Sequence, residues 1–327
     1  MKRNSKQLIL LIDLFLILLI FLFFILILCF FYKKTRKGLG KGLGKGFLGT
    51  TYEKTIYLVW RNKIENTDTD LGFGDKLRGS IFLYQYCKKH KINLKIDATH
   101  DICSDFLKNV VSPEYDISIK DEPLTMLFDF MNKQEIDKKI NNGLKYKNTI
   151  HVFSNCIPTE YFENDDIEFA KFICEPKHEL NIDINEKMRD LPSNFGIKHF
   201  RFDDKVFEND VDSNDNLFKK YFDILKSNYK STDILFTNSN NFKEYAKKKL
   251  KIQTIDCNNE LCKIEHIGMS TDKQAVKNSF IEFFIIAKSA YVKSFTCYVW
   301  PSNFVKWPAK MHNVPFESNF IDEKNLL

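Results

Sequence analysis

The strongest constraint on the fold is a regular alternation of short apolar segments with longer amphipathic ones after residue 50. The segments Ile56–Trp60, Asn93–Asp97 and Gly196–Phe202 have the length and composition of buried strands. The segments Lys76–His90 and Asn216–Tyr229 have the apolar spacing of helices. Strands that alternate with helices of about ten to sixteen residues predict parallel sheets built from βαβ units.

Further segments continue this pattern to the end of the chain. Strands are predicted at Thr149–Ser154, Asp233–Asn238, Ile252–Asp256 and Ala290–Phe295, and helices at Asn241–Leu250, Lys273–Lys288 and Phe304–Asn313. The two sets of elements are interrupted near residues 175–192. We therefore expect an α/β chain with two Rossmann-like domains, at residues 51–190 and 191–327, whose parallel sheets face a cleft.

The N-terminal region has a different character from the rest of the chain. Leu14 to Tyr32 carries no charged side chain, and a helix of this length spans about 28 Å, close to the thickness of a bilayer's hydrocarbon core. The alternative, a cleaved signal peptide, expects a shorter apolar run and a small-residue cleavage site, which Phe30–Lys34 does not contain. The sequence predicts a single-pass membrane protein with a flank at residues 1–13, a transmembrane helix at 14–32 and a basic, glycine-rich stalk at 33–50.

The net positive charge of the chain comes entirely from this N-terminal region. The formal net charge is +6, but residues 47–327 contain 40 basic and 42 acidic side chains. Nucleic acid is therefore not expected as a partner, because phosphate binding needs an excess of Lys and Arg on one face. Lys33–Lys45 has the composition of a stop-transfer flank or a contact with anionic lipids, and both membrane orientations stay open.

A glycine-rich turn follows the first predicted strand. Its residues Gly72, Gly74, Asp75 and Arg78 lie where a backbone approaches a ligand and a helix N-terminus offers N–H groups to an anion. The glycine spacing matches neither the dinucleotide fingerprint nor a Walker loop. The other interpretation is a tight turn from strand to helix.

The second candidate motif is the strand end at residues 196–204, which carries His199, Arg201 and Asp204. Strand C-termini of open α/β sheets are common ligand sites, and a guanidinium donates two parallel hydrogen bonds to a diphosphate. In the structural interpretation, His199 is a satisfied strand-end histidine and Arg201 with Asp204 is a surface ion pair.

Two further motifs place polar groups at strand or helix ends. Thr237, Asn238 and Ser239 end a strand, where they bind a ligand or cap the next helix. Glu282 lies on an otherwise apolar helix, as an inward-facing acid or a carboxylate paired with Lys. The last motif is the helix start Ser302, Asn303 and Phe304.

Two cysteines and a histidine near residue 260 are candidate metal ligands. Cys257, Cys262 and His266 supply only three ligands, so a zinc site is less favoured than a pair of loop thiols. No metal is expected.

In their order along residues 56–316, these motifs resemble those of the GDP-fucose-dependent fucosyltransferase superfamily, which includes α-1,6 and nodulation, α-1,2 and protein O-fucosyltransferases. The resemblance implies a GT-B-like, inverting transferase that needs no metal, with a GDP-sugar as donor and a glycan or protein hydroxyl as acceptor. It implies that Arg201 binds the diphosphate, with His199 and Asp204 completing the catalytic set. The residues expected to bind the donor are Gly72, Gly74, Asp75, Arg78, Thr237, Asn238, Ser239, Glu282, Ser302, Asn303 and Phe304.

The chain departs from the family pattern in places that concern the nucleotide. Asn238 stands where an acid is expected, Glu282 replaces Asp, and the stretch from Ser294 to Ser302 is longer than usual. The expected function is fucosyl transfer from a GDP-sugar, with the catalytic base open among Asp75, Glu282 and Asp204. The alternative is an inactive membrane-anchored protein that binds a glycan or nucleotide, or serves as a scaffold.

Overall fold

A computed structural model describes residues 52–61, 72–110, 124–257, 260–268 and 270–322. The chain divides into a unit of Met1–Thr51 and a unit of Tyr52–Leu327, and every described residue belongs to the second. The predicted flank, transmembrane helix and stalk lie outside the described residues. Within the described part, no helix has the length and apolar character needed to cross a membrane.

The first half of the unit is built on a sheet of four parallel strands in the order β2-β1-β4-β3. The strands are β1 (Thr55–Val59), β2 (Asn93–Asp97), β3 (Thr125–Leu127) and β4 (Thr149–Ser154). Ile56 of β1 lies opposite Leu94 and Ile150, and all three are buried. A central strand buried on both faces is typical of a parallel sheet with helices on either side.

Five helices occur in the described part of this half of the chain. They are α1 (Phe73–His90), α2 (Cys103–Phe106), α3 (Lys133–Leu144), α4 (Asn164–Ile173) and α5 (His178–Arg189). Helix α3 begins with a capping box, in which Asn132 accepts from the N–H of Glu135 and the Glu135 carboxylate accepts from the N–H of Asn132.

The second half carries another parallel sheet, in the order β10-β9-β5-β6, and a short antiparallel hairpin formed by β7 and β8. Its strands are β5 (Gly196–Arg201), β6 (Asp233–Thr237), β7 (Asp256–Cys257), β8 (Glu260–Leu261), β9 (Tyr291–Thr296) and β10 (Phe316–Phe320). Its helices are α6 (Asn216–Asn228), α7 (Asn240–Leu250), α8 (Lys273–Ile286) and α9 (Asn303–Met311). Two parallel sheets with surrounding helices confirm the α/β class predicted from the alternation.

One predicted strand is wrong. The segment Ile252–Asp256 contributes only a single bridge, between Gln253 and Ile234, and the chain then turns into the antiparallel hairpin. A disulfide between Cys257 and Cys262 closes that hairpin, which takes the segment away from the parallel sheet. The structure also contains β3, β10 and the helices α2 to α5, which the pattern did not predict.

An aromatic core fixes the end of β5. Phe200 stacks on Phe295 of β9 at 4.8 Å between ring centroids and also contacts Tyr221 and Phe242. The next inward residue, Phe202, packs edge-on against Tyr221 at 4.7 Å. Because these rings are buried, the backbone between them is held in place, and Arg201 is directed away from this core.

The glycine at position 79 permits helix α1 to lie against β4. A Cβ atom there would overlap the backbone carbonyl of Ser154. We predict that Gly79→Ala destabilises the protein by about 1–3 kcal/mol, since the helix or the strand must shift to make room. The measurement is the free energy of unfolding in urea.

Gly143→Ala in α3 is the matched control. Its Cβ would lie 3.1 Å from a side-chain methyl of Ile150, a contact that a shift of a few tenths of an ångström relieves. A higher helix propensity, worth about 1 kcal/mol, should offset that contact. Equal losses of stability in the two variants would contradict the packing explanation.

Candidate active site

All of the predicted site residues except Ser239 line one cleft of about 730 Å³. The carboxyl ends of β5 and β6 contribute one part of its wall, and the N-terminal ends of α1 and α9 contribute another. Carboxyl ends of parallel strands and N-terminal ends of helices are where open α/β sheets bind anionic ligands.

Arg201 is held at the end of β5 by its neighbours. Its guanidinium forms an ion pair with Asp204 and lies over the ring of Phe207, 5.7 Å from the centroid. The Tyr298 hydroxyl accepts a hydrogen bond from the N–H of Asp204 at 3.2 Å and lies 3.4 Å from its carboxylate. Burial and Asp204 raise the pKa of Tyr298 to about 12, so the phenol stays protonated.

His199 is a buried, neutral histidine. Its Nδ1 lies 2.9 Å from the Ser294 hydroxyl on the neighbouring strand β9. Burial, and then the Arg201 charge, lower the pKa of His199 to about 3. Because Nδ1 is engaged by Ser294, Nε2 is the ring nitrogen left for a ligand.

The glycines of the first turn serve the packing of α1. A Cβ on Gly74 would lie 2.6 Å from the Cβ of Asn303, and one on Gly72 would lie 2.9 Å from the His266 ring. The N–H of Phe73 donates to Ile267, and the N–H groups of Asp75 and Lys76 donate to Gly72. Two N–H groups of the first turn, those of Phe73 and Asp75, therefore have partners within the protein, so this helix end offers fewer open N–H groups than expected.

Asp75 connects the two helix ends. Its carboxylate accepts a hydrogen bond from the Asn303 side chain at 2.9 Å and lies 3.3 Å from the Arg78 guanidinium. Arg78 also pairs with Asp129 at 3.0 Å. Burial raises the pKa of Asp75, and the charge of Arg78 and the Asn303 hydrogen bond oppose that rise.

Helix α9 begins at the cleft without a side-chain cap. Ser302 is at the N-cap position, but its hydroxyl makes no capping hydrogen bond within the described structure. The Asn303 amide is directed to Asp75 instead. The first N–H groups of a helix have no partner inside the helix, so this end can bind an anion.

Asn238 and Ser239 have structural roles. The Asn238 side chain accepts from the N–H of Phe202 at 2.8 Å and donates to the carbonyl of the same residue at 3.1 Å. Ser239 is fully buried, where it accepts from the N–H of Phe242 and donates to Asp210. Thr237 lines the cleft and accepts from the N–H of Ser239.

Glu282 lines the cleft but is already paired. Its carboxylate lies 2.6 Å from the ammonium of Lys243, and both residues are almost fully buried. Burial raises the pKa of Glu282, and Lys243 opposes the rise. Of the two interpretations of Glu282, the structure agrees with a carboxylate paired with a lysine.

The zinc interpretation of the cysteines is wrong, and the pair of loop cysteines is oxidised. Cys257 and Cys262 form a disulfide, which leaves neither sulfur as a ligand. His266 instead lies in the cleft wall against Phe207, with its Nδ1 buried and unpartnered. Within the described ranges, no group of three or more His, Cys, Asp or Glu could hold a metal ion.

Sequence reasoning missed several residues of the cleft. Tyr298 and Trp300 come from the long stretch before α9, and their rings stack at 5.4 Å. Lys306, Trp307 and Lys310 lie on α9 and also line the cleft. The spacing of the two lysines by four residues, just after the Ser302 helix start, was the available sequence indication.

Neither family models nor curated proteins match the sequence. Solved structures do. The fucosyltransferase NodZ from Bradyrhizobium is 14% identical, with a TM-score of 0.46 over 79% of this chain and 93% of the other. A NodZ α-1,6-fucosyltransferase soaked with GDP-fucose is 13% identical, with a TM-score of 0.49 over 84% and 97%. POFUT1 in complex with GDP is 10% identical, with a TM-score of 0.44 over 83% and 99%.

The contacts of Asn238 predict the effect of restoring the acid of the family pattern. We expect Asn238→Asp to lower the free energy of unfolding by about 1–3 kcal/mol, because a carboxylate cannot donate to the Phe202 carbonyl. Asn214→Asp, in an exposed position, is the control and should change stability little. Equal stability of the two variants in urea would show that the Phe202 pairing is not needed.

Proposed function

We propose that this chain is a membrane-anchored glycosyltransferase that transfers a sugar from a GDP-sugar to a hydroxyl of a glycan or protein. Fucose is the sugar that the sequence resemblance implies, and the transfer is inverting and metal-independent. In a GT-B-like arrangement, the first half is the acceptor side and the second half binds the donor. The observation that carries the proposal is that Arg201 and the uncapped start of α9 line the same cleft.

A diphosphate leaving group needs positive charge and hydrogen-bond donors where its own charge develops. Arg201 presents a guanidinium that can bind two phosphate oxygens, and α9 adds its first N–H groups. In this arrangement the Ser294 hydroxyl donates a hydrogen bond to Nδ1 of His199. The neutral ring then carries its proton on Nε2 and donates a hydrogen bond from it to a third phosphate oxygen. These groups stabilise the departing GDP.

The acceptor hydroxyl must lose a proton during transfer, and the environments of the three candidate acids differ. Glu282 is buried in an ion pair with Lys243, and Asp204 is engaged by Arg201 and Tyr298. Asp75 lines the cleft with a pKa that burial raises. We assign the base to Asp75, since its side chain is 32% exposed where that of Glu282 is buried, and its raised pKa brings the carboxylate nearer to the strength that proton transfer at neutral pH requires.

An exposed aromatic ring in the cleft can stack on the flat parts of the substrates. Trp300 lines the cleft, 59% exposed, with one face stacked on Tyr298. Its other face suits stacking on a base or on the apolar face of a sugar. The inactive-binder alternative rested on Asn238, whose side chain is explained by its contacts with Phe202.

The test of the donor site uses the purified full chain and GDP. We expect GDP at a hundredfold excess over its Kd to stabilise the wild type by about 2.7 kcal/mol, read as an increase in Tm. Arg201→Ala should remove most of this shift and lower kcat/KM for transfer from GDP-fucose by about 100-fold or more, as expected for the loss of a charged donor to the leaving group.

Arg189→Ala is the matched control, because it removes an exposed arginine that does not line the cleft. It should keep the GDP shift and any transfer activity. Full transfer activity of Arg201→Ala would refute the assignment of Arg201. A wild type that shows no shift with GDP would refute the donor site itself.

The assignment of Asp75 predicts a pH dependence. Because a base acts only when deprotonated and burial raises its pKa, kcat/KM should rise with pH through an apparent pKa above the ordinary 3.8 of an Asp. Asp75→Asn should remove this acidic limb and lower kcat, while the Kd for GDP stays similar. An unchanged pH profile in the variant would assign the base to another group.

A further inference from the structure

One part of the cleft contains none of the groups assigned above to the diphosphate. It is the surface that α9 presents beyond its first turn, together with the loop after β4 that includes Pro158 and Glu160 and with Phe162 just before α4. We call this surface the α9 subsite and define it by Arg78, Lys306, Trp307 and Lys310.

The lysines of the α9 subsite have no acidic partner. Lys306 and Lys310 are both half-buried, and within the described residues no carboxylate lies within ion-pair distance of either ammonium. Lys310 lies over the ring of Phe162, with its Nζ 3.5 Å from the centroid. The exposed carboxylate of Glu160 is near enough to influence both ammonium groups but forms no ion pair with them.

Among the described residues, two N–H groups of the same subsite are buried without a hydrogen-bond partner. They are the indole Nε1 of Trp307, a residue only 3% exposed, and the Nε of Arg78. A buried donor without an acceptor is unfavourable and uncommon in folded proteins. Two unpartnered donors beside two lysines make this part of the cleft electropositive, which favours an anion there.

The position of Lys310 separates the far end of the subsite from the diphosphate. Lys310 comes seven residues after the start of α9, so it lies about 10 Å along the helix from the N–H groups that face the donor. Its contact with Phe162 places it at the first half of the chain. A group bound there belongs to the acceptor.

We propose that the α9 subsite binds an anionic substituent of the acceptor, a carboxylate or a phosphate ester, so that the acceptor of this chain is an acidic saccharide. This inference rests on the proposed function. The geometry is that of a charged site with two point charges and two fixed donors, which suits a planar or tetrahedral oxyanion.

The electrostatics of the lysines agree with this proposal. Burial, and then the charge of Arg78, lower the pKa of Lys306, and burial and then the charge of Lys306 lower that of Lys310. The cations of the subsite therefore repel one another. A bound anion relieves that repulsion.

The test measures binding of simple saccharides to the full chain in the presence of saturating GDP. Methyl β-glucuronide and glucose 6-phosphate are compared with the neutral methyl β-glucoside, by titration calorimetry or by NMR. We expect at least one of the acidic sugars to bind at least about tenfold tighter than the neutral one. The tighter of the two identifies the substituent as carboxylate or phosphate ester.

The double variant Lys306→Gln, Lys310→Gln should remove this preference and leave the Kd for GDP within about twofold. Lys219→Gln, Lys220→Gln is the matched control, because it removes two exposed lysines of α6 that do not line the cleft. It should keep the preference. If the double variant has a lowered Tm, the single variants and a rise in KCl to 500 mM test the same charge, and both should weaken the preference.

Equal binding of acidic and neutral sugars would overturn the proposal. A loss of GDP binding in the double variant, like that in Arg201→Ala, would overturn it too, because the lysines would then belong to the donor site. Repeating the sugar titrations without GDP separates the two hypotheses. Failure of GDP to bind refutes the proposed function, whereas an acidic preference that persists without GDP still supports an anion subsite.

Discussion

The arrangement of the cleft depends on the contact between Phe73 and helix α8. The Phe73 ring lies 5.0 Å from both Phe280 and Phe283 and meets each edge-on. Burial of such a ring contributes about 1.5–3 kcal/mol, and the edge-on pairs add to it. Because Phe73 is the first residue of α1, this contact fixes the start of that helix beside the second sheet, and the next residue, Gly74, packs against Asn303 at the start of α9.

Two buried ion pairs reinforce the same region. Lys76, in the first turn of α1, pairs with Asp101. Lys243 of α7 pairs with Glu282 of α8. Burying both charges costs a large part of their mutual attraction, so such pairs add little stability. They do impose a strict geometry, since either partner left alone in the interior would be strongly unfavourable. Their effect is to fix the helices that form the cleft wall.

The sequence patterns predict strands better than they predict contacts. β2 and β4 have the predicted bounds because a buried parallel strand has a compact apolar signature. Helices α3 and α5 carry few apolar side chains, although those buried in α3 recur every four residues, at Ile136, Ile140 and Leu144. Ile252–Asp256 has strand composition but is diverted by the disulfide hairpin. The candidate residues were found because polar side chains at strand ends are visible in a sequence. The Asn238 pairing with Phe202 and the unpartnered Trp307 Nε1 depend on neighbours far along the chain, which no local pattern contains.

Under the proposed function, the ion pair of Arg201 with Asp204 bears on how a diphosphate reaches Arg201. The Asp204 side chain is 47% exposed, so its pairing with Arg201 is worth only about 0–1 kcal/mol. A diphosphate carries more charge and offers two oxygens to the guanidinium, so it can displace this carboxylate at little cost. Tyr298 lies within reach of the released Asp204 carboxylate and stays protonated as a donor. In the proposed function, Asp204 therefore pairs with Arg201 until the donor binds, and the released carboxylate keeps its contact with the Tyr298 hydroxyl.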